Sequence, residues 1–140
     1  MMRRPRLHLE NIAPVRSRVV LAARDRRFLR VTSFLLARQG FVVHSTRRLE
    51  DLLDLVKRKR PDVVILDGMD SLTMTARALV EVEALPYSVA VLVVAEVPEA
   101  SSPTSVRLLH KWTSFDQLLD EVERLSEDSQ GKGEISHGLA

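Results

Sequence analysis

The sequence predicts a three-layer α/β domain, in which helices cover both faces of a five-stranded parallel sheet. Three observations lead to this fold class. Short apolar runs of strand length alternate along the chain with segments whose apolar residues recur at helical spacing. The runs are apolar almost throughout, as in strands that are buried on both faces. With 140 residues, 45% hydrophobic and 29% charged, the chain suits a single globular domain.

The first half of the alternation contains two strands and two helices. Residues 18–23 are the first apolar run, and Asp25 is placed to cap the helix that follows. Gly40 stands where a glycine commonly ends a helix. A second strand is predicted over residues 41–44, and Pro61 ends the second helix.

The second half adds strands at 62–67, 89–95 and 106–110, and helices at 72–85 and 114–125. The last helix begins with a capping box, in which the Ser114 hydroxyl and the Gln117 side chain satisfy free amides of the first turn. Segment 96–105 holds two prolines and several residues of low helix propensity. A helix between the last two strands should therefore be missing or reduced to a turn.

The flanks and the composition exclude several classes of protein. Residues 1–17 are predicted to be a basic arm, 18–125 the domain, and 126–140 a flexible polar tail. No apolar run is long enough for a signal peptide or a membrane span, so the protein is expected in the cytoplasm. The absence of cysteine excludes a disulfide framework and thiolate metal sites.

Charge is distributed unevenly along the chain. The net charge of +2 does not indicate nucleic-acid binding by this chain. Arginines gather at positions 24, 26, 27 and 30, whereas acidic residues gather between 116 and 128. Each cluster is expected to be a solvated face. An anion-binding patch above the sheet is the alternative interpretation of the arginines.

Candidate site residues are those at the carboxyl ends of the strands, where parallel α/β sheets carry their functional groups. These positions hold Arg24 and Asp25 after the first strand, Asp67 after the third and Lys111 after the fifth. No glycine-rich phosphate loop follows the first strand, and no spacing typical of a catalytic triad or a metal-ligand set is found.

Residues 18–125 resemble a response-regulator receiver domain of bacterial two-component signalling. Arg60-Pro-Asp-Val-Val-Ile-Leu-Asp67 is similar to the strand that leads to the phosphoacceptor aspartate of that family. Lys111 closes the fifth strand, like the conserved lysine of the family, and residues 18–23 resemble its first strand. The resemblance implies a flavodoxin-like, receiver-like three-layer sandwich and makes Asp67 the phosphoacceptor equivalent.

The residues that would hold a metal depart from the family pattern. The resemblance implies two acidic residues at the end of the first strand, which bind Mg²⁺ beside the acceptor. Ala23 and Arg24 occupy these positions, and Asp25 lies one place further on, where it serves as the helix cap. Binding of Mg²⁺ is therefore predicted to be lost or weak, and no other metal or cofactor is expected.

Two further positions are degenerate. Ala95 stands where the family has the hydroxyl that couples phosphorylation to a surface rearrangement. Trp112 replaces the proline after the conserved lysine. A tryptophan here is expected to be a lid on the core; an exposed one would instead indicate a binding surface.

Asp67 has two interpretations. The favoured one is a relic carboxylate neutralised by Lys111, with the Arg24 guanidinium in the vacated metal site and paired with Asp67. The other is an acceptor that still takes a phosphoryl group from a partner kinase.

The leading functional hypothesis is a non-enzymatic pseudo-receiver that signals by phosphorylation-independent protein–protein interaction. Its partner would be a kinase, another receiver or an output domain, and a homodimer is compatible with the sequence. The alternative is a genuine stand-alone response regulator, phosphorylated on Asp67 by a histidine kinase in a phosphorelay. A flavodoxin-like protein that binds a small ligand is a weaker alternative.

Overall fold

The structure is a computed structural model that describes residues 17–67, 72–95 and 107–139. The predicted basic arm lies outside the described residues except for Ser17. Segment 96–105, predicted to lack a full helix, also lies outside them. Within the described part of the chain, no helix combines the length and apolar character that a membrane span requires.

The described residues form five strands and four α-helices. The strands are β1 (Arg18–Ala22), β2 (Val42–Thr46), β3 (Val63–Asp67), β4 (Ala90–Ala95) and β5 (Arg107–His110). The helices are α1 (Arg26–Arg38), α2 (Leu52–Lys59), α3 (Leu72–Glu83) and α4 (Phe115–Leu139). A 3₁₀ turn over Leu49–Asp51 precedes α2.

All strand pairs are parallel, in the order β2-β1-β3-β4-β5, so the predicted fold class is confirmed. Strand β3 lies at the centre, and all five of its residues are buried. The register pairs Asp67 with Val94 and Ala95 with His110. The carboxyl ends of β3, β4 and β5 therefore lie at one edge of the sheet.

The core has two layers, one on each face of the sheet. Side chains alternate along β1, so Val19 and Leu21 pack on the face that α1 and α4 cover. Val20 and Ala22 pack on the opposite face, against α2 and α3. This double coverage explains why the strands are apolar throughout and do not alternate with polar residues.

Two residues with positive φ end helices. Gly40 has φ of 98° and follows α1, as the sequence predicted. Arg60 has φ of 49° and ends α2 immediately before Pro61. Its guanidinium carbon lies 4.1 Å from the centre of the Tyr87 ring, within the range of cation–π contacts.

The end of α4 differs from the expectation. The last helix was predicted to end at residue 125 and a polar tail to follow, but the helix continues to Leu139. Ser126 is buried, and its hydroxyl hydrogen-bonds that of Ser17, so packing extends past the predicted boundary. A packed helix adds turns at low cost because each further residue gains a hydrogen bond.

The start of α4 confirms half of the predicted capping box. The Ser114 hydroxyl accepts a hydrogen bond from the Gln117 amide at 3.3 Å. The Gln117 side chain accepts from the Thr113 hydroxyl instead of reaching back to the amide of Ser114. A hydroxyl one residue before the cap competes for the same side chain.

Replacing Gly40 with alanine should destabilise the domain by about 1–2 kcal/mol, because a Cβ is disfavoured at positive φ. Urea unfolding followed by far-UV circular dichroism measures the difference. Gln39→Ala is the matched control, since Gln39 is exposed with φ of −85°. Equal stability of Gly40→Ala and Gln39→Ala would contradict the assignment of backbone strain.

Candidate functional site

The candidate site is built around Asp67, the last residue of β3. Asp67 is a buried acidic residue, and only 1% of its side chain is exposed. Strands β1 and β4 flank β3, which places this carboxylate at the middle of the carboxyl edge of the sheet. A carboxylate so far from solvent requires a positive partner to remain ionised.

Lys111 supplies that positive charge. Its backbone amide donates to the Ala95 carbonyl at 2.7 Å, which fixes the residue directly after β5. Its side chain is fully buried, and Nζ lies 3.0 Å from Oδ2 of Asp67. The structure thus brings together the acidic and basic residues that the sequence placed at the ends of different strands.

Asp25 completes a three-residue charge cluster, here called the Lys111 cluster, made of Asp25, Asp67 and Lys111. Its Oδ2 accepts from Nζ of Lys111 at 2.9 Å. Its Oδ1 accepts from the amides of Arg27 and Phe28 at 3.0 and 3.1 Å and so caps α1, as predicted. One carboxylate therefore joins the start of a helix to the centre of the sheet edge.

The hydrogen bonds of the cluster shift the pKa values of both partners. The pKa of Asp25 lies below its usual value because of the Lys111 hydrogen bond first, and the Phe28 amide second. Burial by itself lowers the pKa of Lys111, but the hydrogen bonds that its ammonium donates to Asp25 and Asp67 outweigh this effect, and the net shift is upward. Both shifts favour the charged forms.

Two aromatic rings cover the Lys111 ammonium. Nζ lies 5.4 Å from the centre of the Phe28 ring and 5.1 Å from that of Trp112, within the range of cation–π contacts. The two rings meet edge to face, with centres 6.3 Å apart. Trp112 is nevertheless 55% exposed, so the expectation of a core lid is wrong. The indole covers the lysine from outside the core.

Positions 23 and 24, where the resemblance implies metal ligands, carry no carboxylate. Ala23 is buried, and its amide donates to the Thr46 carbonyl. Arg24 is exposed, and its carbonyl accepts from Nη2 of Arg47 at 3.5 Å. The cation that the structure places 3.0 Å from Oδ2 of Asp67 is Lys111. The pairing of Arg24 with Asp67 stays a prediction.

Ala95, which the resemblance places where the family has a coupling hydroxyl, is the last residue of β4. It is half-buried, and its carbonyl accepts from Lys111. Within residues 17–67, 72–95 and 107–139, no group of three or more His, Cys, Asp or Glu side chains could hold a metal ion.

Sequence reasoning missed two contacts, one within the site and one that anchors α4. It assigned Asp25 to the helix cap and placed it in the pocket without a contact to Lys111, which is 86 positions away in the chain. The signal that could have revealed this contact is that an aspartate carboxylate has two oxygens. A helix cap uses only one of them, so the other is available for a second partner. Glu121 was also missed. It is buried in α4 and bonds Nε of Arg107 in β5, which anchors α4 to the edge strand.

Comparison with known proteins finds similar solved structures. No protein-family model and no curated protein matches the chain. Among solved structures, a signal receiver domain from Vibrio parahaemolyticus is 14% identical, with a TM-score of 0.68 over 86% of this chain and 97% of that one. The N-terminal domain of a response regulator receiver protein from Methanoculleus marisnigri is 19% identical, with a TM-score of 0.60 over 77% and 94%.

A third structure, the BeF3-activated N-terminal receiver domain of Klebsiella pneumoniae RstA, is 16% identical, with a TM-score of 0.61 over 78% of this chain and 97% of that one. These likenesses cover nearly the whole of each receiver domain. The chain therefore has the receiver fold.

Replacing Lys111 with methionine should destabilise the domain by about 3–5 kcal/mol, because two carboxylates then face each other without a buried counter-charge. Urea unfolding is the measurement, with Lys57→Met, an exposed lysine of α2, as the control. Adding Asp67→Asn to Lys111→Met should recover part of the loss. A Lys111→Met variant as stable as the control would contradict the assignment.

The pKa shifts predict how stability depends on pH. Asp25 has a lowered pKa, so its contribution is complete above about pH 4 and is lost as the pH falls through the lower folded-state value. Lys111 has a raised pKa, so its contribution to the free energy of unfolding is complete below about pH 10. It is lost as the pH rises through the higher folded-state pKa.

Asp25→Asn isolates the carboxylate charge, since asparagine caps a helix as well as aspartate does. The free energy of unfolding of the wild type should exceed that of this variant by about 1.5 kcal/mol from about pH 5 to pH 8. This difference should disappear as the pH falls below about 4. Urea unfolding at several pH values measures the gap. Asp54→Asn, whose carboxylate is 76% exposed, should show a difference below about 0.5 kcal/mol throughout.

Proposed function

Because the chain has the receiver fold, we propose that it is a response-regulator-like signalling module that works by binding another protein and transfers no phosphoryl group. In this proposal Asp67 is a structural carboxylate. The module is not an enzyme, needs no cofactor and acts in the cytoplasm. Its partner is a kinase, a second receiver or an output domain on another chain.

One observation carries the proposal: both oxygens of Asp25 are already engaged. Oδ1 accepts from two helix amides and Oδ2 from Lys111, and this is the acidic residue nearest the end of β1. Ala23 offers no side-chain ligand, and Arg24 adds a positive charge. Among the residues that the structure describes, the donor set around Asp67 therefore does not fit Mg²⁺, which needs several oxygen ligands at about 2.1 Å in octahedral geometry.

Electrostatics support the same conclusion. Oδ2 of Asp25 and Oδ2 of Asp67 both lie within 3.0 Å of a buried ammonium. A divalent cation placed between them would share these two carboxylates with the ammonium, and neither Ala23 nor Arg24 adds the negative charge that would offset the like-charge repulsion. Without a metal, the charge of a transferring phosphoryl group would remain largely uncompensated.

Phosphorylation by a protein donor is the second candidate, and the Asp67–Lys111 pair favours it. In this case a kinase would supply the positioning that the missing ligands no longer provide. The two candidates differ in whether Asp67 forms an adduct.

Incubation of the full chain with acetyl phosphate and Mg²⁺, read by intact mass, should give no adduct. The double variant Ala23→Asp/Arg24→Asp restores two acidic residues at the end of β1 and should gain Mg²⁺ binding by calorimetry together with an adduct. That gain should disappear when Asp67→Asn is added.

A stoichiometric, Mg²⁺-dependent adduct on the wild-type chain, absent in Asp67→Asn, would refute the proposal and favour the phosphorelay candidate. The double variant serves as the positive control, because it shows that the donor and the fold are competent. If the wild-type chain formed no adduct only because its pocket was misfolded, the two introduced aspartates would restore neither Mg²⁺ binding nor the adduct.

A further inference from the structure

The outer face of α1 carries a row of side chains here called the α1 stripe: Arg27, Val31, Phe34 and Arg38. Its members are separated by four, three and four residues, so they lie on one side of the helix. Val31 is 48% exposed and Phe34 is 58% exposed, and both arginines are exposed. The stripe thus has an apolar centre with a positive charge at each end.

The outer face of α4 carries a matching row, the α4 stripe: Asp116, Asp120, Glu123 and Glu127. Its members follow the same spacing of four, three and four residues. Asp116, Asp120 and Glu127 are exposed, and Glu123 is half-buried. Each stripe covers 12 residues, or about 16 Å of helix between its first and last member. A row with a positive charge at each end and a negative row of equal length therefore exist in one molecule.

The two rows are neighbours, yet their exposed charges are not paired with each other. Helices α1 and α4 contact one another and cover the same face of the sheet. Both follow strands of a parallel sheet, so they run in the same direction. Within the described part of the chain, none of the four side chains Arg27, Arg38, Asp120 and Glu127 forms an ion pair.

From this geometry we propose that the α1–α4 face binds a second copy of the chain. A two-fold axis parallel to the two helices places α1 of each copy against α4 of the other. The α1 stripe then meets the α4 stripe twice, once on each side of the axis, as an isologous contact requires. Because Arg27 and Arg38 at the ends of the α1 stripe then lie opposite Asp116 and Glu127 at the ends of the α4 stripe, the face is complementary to itself.

The exposed apolar residues support the same face. Four large hydrophobic residues are strongly exposed in the described part of the chain, and Val31, Phe34 and Trp112 lie here. A cavity of about 450 Å³ opens between α1 and the start of α4, lined by Arg27, Val31, Trp112 and their neighbours. A dimer would bury these surfaces, which otherwise remain in water.

The fourth residue, Val80, supplies a matched control. It is 65% exposed on α3, which covers the opposite face of the sheet. The proposed dimer names one partner for the binding module proposed above, but it does not depend on the state of Asp67. A phosphoryl adduct on Asp67 would refute the proposed function and leave the dimer proposal intact. A chain that stays monomeric would refute the dimer proposal and leave the proposed function intact.

The first experiment is sedimentation velocity of the full chain over a wide concentration range, without a phosphodonor. A species of twice the 15.8 kDa chain mass is expected, and it should weaken in high salt. Phe34→Glu should raise the dissociation constant at least tenfold, and Val80→Glu should leave it unchanged. A wild-type chain that stays monomeric at all concentrations overturns the proposal, as does a dimer sensitive to Val80→Glu and not to Phe34→Glu.

A charge exchange tests the pairing directly. Arg27 and Arg38, the charged ends of the α1 stripe, are changed in Arg27→Glu/Arg38→Glu. A second protein carries Asp116→Arg/Glu127→Arg, changes at the matching ends of the α4 stripe. Each variant alone should be monomeric, because both of its α1–α4 contacts are then repulsive.

Mixing the two variants should restore a dimer, since both contacts of the mixed pair join opposite charges. Recovery in the mixture shows that each variant is folded, which separates lost association from lost structure. A mixture that stays monomeric, although both variants unfold cooperatively in urea, overturns the two-fold arrangement.

Discussion

The arrangement of the site depends on one buried ammonium. Nζ of Lys111 lies within 3.0 Å of two carboxylates, one at the end of β3 and one at the start of α1, and the lysine itself follows β5. Three elements that are distant in the chain therefore meet at one charge. Because a buried charge without partners is costly, each element is held in place relative to the other two.

Such a cluster contributes specificity more than stability. Removing two carboxylates and an ammonium from water is expensive, and their mutual attraction offsets this cost only with good geometry. The geometry here is good, since Asp25 uses its second oxygen for the helix amides and the two rings cover the lysine. The cluster thus fixes one arrangement of the pocket, which is consistent with the binding module proposed above.

The fold could be predicted from sequence because double burial leaves an unmistakable pattern. Runs such as Val63–Asp67 are apolar at every position but the last, and the cap at Asp25 and the stop at Gly40 are local signals. The contact of Asp25 with Lys111 could not be predicted in this way, since it is set by tertiary packing. The extension of α4 and the exposure of Trp112 likewise depend on what neighbouring elements cover.

The position of Trp112 makes its fluorescence sensitive to the state of the pocket. The indole is the only one in the chain, it is partly in water, and a full positive charge lies 5.1 Å from its ring. The excited state of an indole shifts its electron density, so a nearby charge changes the emission energy. The chain therefore carries an intrinsic optical reporter, which registers any movement of the ammonium that holds the site together.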